Sequence, residues 1–572
     1  MMFRSTIALL LAALMAAPTF AQDVPRAGAS VEVSIVNVDV FVTDRQGNRV
    51  RGLKAEDFEI FENGTRKPIS NFAEYAGGDA HVSVEPGAAE PAPPRQKRNL
   101  VLFFEEMRLP AFSADKLIGG MKDLVHRTIS SGDAASVVLW SRSGTRYIEA
   151  TDDLAKLDSA LDSIGVDLKR ARIDEGAQTR EESVKQQQFE IDAAMFAASA
   201  AKPPVSPRGG NTPDPETGGV KQADTPAGVP EIGSAGASSA RLGMLVAYQE
   251  MQRRVAAINS AINTLTGVEG KKIVLLATRR LGEVAGAEVV FQRGALYVPA
   301  ELKQQFSTDT LMQTVMNNAN ASGVTLYPVY PPGATDAVPE AASDVRLVPG
   351  AEESTLLNET RMLQQLADRT GGLTAASVTD VVKLLPRISD DVTDYYSLAY
   401  RVTDDRKGQT RKIVVKARNP EYRVRSRREY VEKTDEAQMR DRLVSALFRT
   451  QRDSPVPIEA TLGTPKSNST AVPLSVHIPI NALTMLPEGD GKHAGSFSVY
   501  VVTAEDLDRL SEVTHKTQPF QIAEADLARA KAGHFTYDLD LTLSAKTKYV
   551  AVGVYDEVGK TFGLTRLERT TR

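Results

Sequence analysis

The 572-residue chain contains no cysteine. That excludes disulfides, thiolate metal sites, cysteine nucleophiles and a lipoprotein anchor, though not export, because a large core needs no staples. Histidine is also scarce: His81, His126, His477, His493, His515 and His534 are the full set. One falls in a linker, one on the polar side of a helix and four in the C-terminal β region, so none stands at a strand end of an α/β sheet. No Gly-x-Ser-x-Gly elbow is present, and no nucleophile–base pair can be named. Phosphate-binding Gly-rich loops are missing too; Gly119-Gly120 lies inside a helical pattern and suits close packing. A net charge of only −5 argues against non-specific nucleic-acid binding. Arg423, Arg425 and Arg427 alternate, as on one solvated strand face, without the aromatic residues that stack on bases.

Long apolar runs are confined to the N-terminus. Arg4, the run Ile7 to Ala17, and Thr19-Phe20-Ala21 before Gln22 form the charged, apolar and small-residue regions of a cleavable signal peptide over 1–21. The run is shorter than the ~20 residues a spanning helix needs. The expectation is an exported protein, periplasmic or extracellular, with no membrane span in the mature chain.

Residues 30–76 read as a small β module. Val31, Val33 and Ile35 alternate with polar residues, and Val36, Val38, Val40 and Val42 continue in shifted phase, which suggests a β-bulge near Ile35-Val36. Phe58 to Glu62 enters an Asn63-Gly64 hairpin, with Lys67 to Tyr75 as the return strand. Residues 77–97, with Pro91, Pro93 and Pro94, form a Pro/Gly/Ala-rich linker.

The stretch Arg98 to Arg127 organises the rest of the chain. Asn99 to Phe104 is an apolar run too short for a helix, succeeded by Glu105-Glu106 and a helical pattern of Leu117, Ile118, Met121, Leu124, Val125 and Ile129. This is a central parallel strand feeding a βα unit, with carboxylates where open α/β sheets place their ligands. Further strands are expected at Ser136 to Trp140, Arg146 to Glu149, Lys271 to Ala277 and Gly323 to Val329. Helices should alternate with them: one capped by Thr151, one through Tyr248 to Leu265, one from Glu301 to Ala321, and two later ones before Val392. The expected fold class is therefore α/β, a doubly wound sheet over 98–430, interrupted by a disordered insertion at about 169–239. A helical connector over 431–455 and a β-sandwich over 456–570 complete the chain.

Three runs carry a family resemblance. They are Val42-Thr43-Asp44 through Phe61-Glu62-Asn63-Gly64, Leu366-Ala367-Asp368-Arg369-Thr370-Gly371-Gly372, and Tyr395-Tyr396-Ser397-Leu398-Ala399-Tyr400 with Lys412 to Val415 after it. In this order and spacing the chain resembles exported von Willebrand factor A-related proteins of acidobacterial type. The resemblance implies a Rossmann-like A domain. It also implies an Asp-x-Ser-x-Ser loop after the first strand, which with a Thr and an Asp from later loops holds Mg²⁺ or Mn²⁺. Here that loop reads Glu105-Glu106-Met107-Arg108-Leu109, and Thr278-Arg279-Arg280 stands where the last Asp belongs. The metal site is degenerate, so no cofactor is expected. Glu105 and Glu106 can instead accept hydrogen bonds from Arg279 or Arg280 across the sheet top. The leading expectation is a non-catalytic interaction protein, an adhesin or scaffold, that meets a protein partner over a rim of Glu105, Glu106, Arg108, Arg279 and Arg280. Metal-dependent adhesion through Mg²⁺ or Mn²⁺, and a hydrolase of unknown substrate, are the alternatives.

Overall fold

The strand Arg98–Glu105 is buried at all eight positions, which is why its sequence alternates so little: a strand covered on both faces has no solvated side to make polar. In the computed structural model it sits at the centre of a five-stranded sheet ordered Val324–Val329, Lys271–Ala277, Arg98–Glu105, Ala134–Ser141, Gly144–Thr151. The first four strands are parallel and the last joins antiparallel as a hairpin edge. The structure describes residues 34–77, 79–81, 96–107, 109–170, 234–279, 281–291, 298–331, 351–374, 381–402, 408–449, 454–464, 471–488 and 491–569. The expected signal peptide, most of the linker and residues 171–233 of the expected insertion lie outside them.

Two apolar cores flank the central sheet. Leu100, Leu102 and Phe104 pack with the helices Ala111–Thr128, Leu154–Arg170 and Val381–Thr393. Val101 and Phe103 point the other way, towards the helices Ser234–Asn263, Asp309–Ser322 and Ala351–Thr370. Alternate side chains of one strand therefore feed separate cores, as the two-residue strand period requires. Gly120 explains how tightly the first core closes: a Cβ there would lie 2.4 Å from Leu385 of the facing helix.

Local expectations needed three adjustments. The helix projected over 301–321 is two, Ala300–Gln305 and Asp309–Ser322, because Ser307 turns aside to bridge Val284. The helix after the hairpin is capped by Asp153, which accepts from the N–H groups of Ala155 and Lys156, while Thr151 accepts only from the N–H of Asp153. The projected insertion is shorter at both ends, since helices run through Arg170 and begin at Ser234.

The largest revision concerns residues 394–430, expected with the α/β sheet. They belong instead with the N-terminal strands. Tyr395–Val402 lies between Ser34–Thr43 and Asn71–Ala76, and Arg423–Ser426 extends the same sheet on the other side of Ser34–Thr43. A second sheet is ordered Glu429–Val431, Thr410–Ala417, Phe58–Glu62, Thr65–Lys67. The two share a core of Val36, Val38, Val40, Phe58, Ile60, Tyr396, Leu398, Tyr400 and Ile413. Ser34 to Val40 pairs residue for residue with Val402 to Tyr396, so the bulge at Ile35-Val36 is not formed. Ile35 is left 53% exposed, and the apolar shift is taken up by Phe41, which is buried against a separate aromatic group. The Asn63-Gly64 hairpin does form, with both residues at positive φ (49° and 84°) as a two-residue primed turn demands. Its return arm pairs for only three residues before the chain crosses to the other sheet as Asn71–Ala76.

The connector is the helix Asp435–Phe448, capped by the Thr434 hydroxyl accepting from the Ala437 N–H. Its Met439, Leu443, Leu447 and Phe448 join the second core of the α/β sheet to Tyr500, Val502 and Tyr555 of the C-terminal region. That region has two sheets around one core. One holds Glu459–Leu462, Ala471–Pro479 and His534–Thr542; the other is built on Lys492–Asp506 and Tyr549–Asp556. The protein is thus mixed α/β with several sheets, and no described helix is long and apolar enough to cross a membrane.

Candidate functional site

The strand Arg98–Glu105 delivers Glu105 to the carboxyl end of the central sheet, where a helix-flanked parallel sheet leaves a crevice. Glu105 is buried, 5% exposed. A bare carboxylate there would be costly, so its partners decide what it can do. Arg254 Nε donates to Glu105 Oε1 at 2.8 Å, and the Nη2 of the same guanidinium lies 2.7 Å from that oxygen. The other oxygen, Oε2, accepts from the Thr278 hydroxyl at 2.7 Å and from the Arg279 N–H at 3.0 Å. Four donors therefore converge on one carboxylate.

Arg254 is itself 2% exposed and is anchored from several sides. Its Nη2 reaches Glu250 Oε1 at 3.2 Å, one helical turn back, and its guanidinium stands 5.3 Å from the centre of the Trp140 ring. Glu250 also takes a two-pronged contact from Arg142, at 3.2 and 2.8 Å. The result is a chain of alternating charge, Glu105–Arg254–Glu250–Arg142, running from the sheet's interior towards its edge.

The other residues projected for the rim are divided by the structure. Glu106 is exposed, and its N–H donates to the Trp140 carbonyl. Arg279 is only 9% exposed; its Nε donates to the Tyr330 hydroxyl at 3.2 Å, so it is the backbone of Arg279, not its guanidinium, that meets Glu105. Arg108 and Arg280 lie outside the described residues. The two expected rim residues that can be placed at the centre, Glu105 and Arg279, are thus internal. The expected carboxylate–arginine contact across the sheet top exists, but Arg254 makes it. A signal for Arg254 is present in the sequence: it shares the stripe Met251, Val255, Ile258 at helical spacing, so a charge stands on an otherwise buried face.

The donor set does not fit the divalent ion that the family resemblance implies. Oxygen ligands are needed around such an ion, but the positions that would supply serine hydroxyls hold Met107 and Leu109, buried at 7% and 3% in the apolar core. Both oxygens of Glu105 are already engaged by donors, one of them a permanent cation.

A second polar centre lies at the opposite pole, where the parallel strands begin. Asp391, 1% exposed, accepts from Arg49, from Arg425 and from the Tyr327 hydroxyl, the last at 3.1 Å. Lys271, the first residue of its strand, donates to the Asp391 carbonyl at 2.8 Å and lies 3.3 Å above the Tyr395 ring. Burial pushes its ammonium down to about 8, against the opposing pull of Asp39 and Asp391. Arg425 and Arg427, expected on a solvated face, are partly buried here. Arg425 also donates to the Gly371 carbonyl and Arg427 to that of Asn37, while Arg423 remains exposed.

No protein-family model matches this chain, and no curated protein matches it significantly.

Proposed function

We propose that this is an exported, non-catalytic protein-interaction protein, an adhesin or scaffold, built on an A-type doubly wound domain that works without a metal. The observation that carries the reading is the saturation of Glu105 by Arg254, Thr278 and the Arg279 N–H. A guanidinium here supplies the positive charge that a divalent ion supplies in metal-dependent A domains. An arginine paired in this way offers no open coordination position for a partner's carboxylate. Contact is then made by surface complementarity over the exposed parts of the chain, including Glu106. The order of parallel strands with a core on each face supports the A-type assignment, and the two C-terminal sheets around one core support a β-sandwich as an additional interaction module. The N-terminal charge and hydropathy pattern supports export.

The test is affinity capture from native envelope extract, run in parallel with excess EDTA and with Mg²⁺. Recovery of the same partner under both conditions is the expected result. Recovery that depends on Mg²⁺ would favour metal-dependent adhesion, and no partner across a range of salt would count against an interaction role.

A further inference from the structure

Around Asp391 the fold opens a cleft of about 580 Å³. Its walls come from the end of Ser34–Thr43 with the turn and bridge after it, the strand Arg423–Ser426, the helix Val381–Thr393 with Asp394, and Leu373. Five arginines line it, Arg49, Arg51, Arg387, Arg423 and Arg425, against three aspartates, Asp390, Asp391 and Asp394. The aspartates do not balance them. Arg49 and Arg425 share Asp391, and Arg51 bonds Asp394 at 2.6 Å. The side chains of Arg387 and Arg423 are exposed and make no ion pair or hydrogen bond with any described residue. Asp390 also faces the cleft, and partial burial and the neighbouring Asp394 raise its carboxyl above the usual range; even with all three aspartates charged, the arginines outnumber them.

An ordinary surface disperses such charges. Here two unpaired guanidiniums face one cavity, on a floor whose other arginines are held in place by a buried carboxylate, by the Gly371 carbonyl and by the Phe41 ring, 4.1 Å from the Arg425 guanidinium and 5.2 Å from that of Arg49. The forked donors of guanidinium match the paired oxygens of carboxylate and phosphate. The volume lies in the range of small-molecule sites.

We infer that this cleft is a binding site for a small dianionic oxyanion, of the dicarboxylate or phosphate class, gripped by Arg387 and Arg423. Arg387 sits one turn before Asp391 on its helix, and Arg423 pairs with Thr43 at the end of its strand, so the ligand bridges the α/β sheet and the N-terminal β unit. The site is separate from the Glu105 pole and does not depend on the interaction reading.

The experiment is isothermal titration of the full chain at low and at ~0.3 M salt with succinate, citrate, inorganic phosphate and a short oligoglutamate peptide. Saturable binding of at least one small probe is expected, weakened by salt as exposed charge contacts are. The double variant Arg387→Ser/Arg423→Ser should weaken it at least tenfold with an unchanged melting temperature, because neither side chain holds a structural contact. Binding of the peptide alone would overturn the small-ligand assignment. Binding of no probe, or binding that the double variant leaves intact, would overturn the site.

Discussion

Arg254 meets Glu105 with two nitrogens on one carboxylate oxygen, Nε at 2.8 Å and Nη2 at 2.7 Å, in a place where both side chains are withdrawn from water. Such a pair is worth little relative to a well-packed apolar one, but breaking it leaves an uncompensated buried charge. Glu105→Gln should therefore destabilise the protein by about 3 kcal/mol, whereas the paired change Glu105→Leu/Arg254→Met should recover most of that loss. Urea denaturation reads both. Trp140 is the only tryptophan and lies under the Arg254 guanidinium, so its fluorescence reports this locus directly.

Divalent cations are expected to find no purchase. Titration of Mg²⁺ or Mn²⁺ into the purified chain should give only heats of dilution up to roughly millimolar concentrations, and neither ion should raise the melting temperature. Saturable micromolar uptake would show that Arg254 can be displaced.

Lys271 makes stability depend on pH. In the unfolded chain it keeps its proton to about pH 10.4, while burial lowers the folded value to about 8. Between those values the unfolded chain binds more protons, so the Lys271 contribution becomes less unfavourable as pH rises, and its full cost stands below about 8. The groups facing the amine are Asp39, Asp391, Arg49, Phe41 and Tyr395. Lys271→Met removes this linkage. The stability of the variant minus that of the wild type should fall by roughly 2 kcal/mol between pH 7 and about pH 9.5, measured by chemical denaturation at each pH.

Gly371 and Gly372 allow three segments to meet. A Cβ on Gly372 would lie 1.8 Å from the Leu326 carbonyl oxygen, and Gly371 holds φ +83° with its Cβ position 2.7 Å from the Arg427 backbone nitrogen. Gly372→Ala should cost about 3 kcal/mol or prevent folding, since backbone has to move to admit it. Gly64→Ala, strained only by its φ of 84° with open space around it, should cost about 1 kcal/mol. Melting temperatures of the two variants separate close packing from backbone conformation.

What could be read in advance was local. The buried strand ending at Glu105, the helix after it and the Asn63-Gly64 turn are set by spacing within a few residues of themselves. Of Gly119-Gly120, expected to serve close packing, only Gly120 does, against the distant Leu385, while Gly119 has open space. Strand partnership was not, because Val38 faces Leu398 and Ile60 faces Val415 across hundreds of intervening residues, and alternation alone does not name a partner. The site divided the same way. Glu105 was identifiable from its position at a strand end. Arg254 was not, because its role depends on which helix the sheet packs against, although its place in an apolar stripe marks it as a charge that must be answered from within.

The pairing of Ser34–Thr43 with Tyr395–Val402 and Arg423–Ser426 also sets an order of events. The valine strand is synthesised early, yet both of its neighbours are encoded more than 350 residues later. Until they emerge, a strand of strong β character waits with its edges open, which is the condition for mispairing between chains. The α/β sheet, encoded in between, can close first and shorten the separation left to bridge. The β unit at the start of the chain is then among the last to be finished.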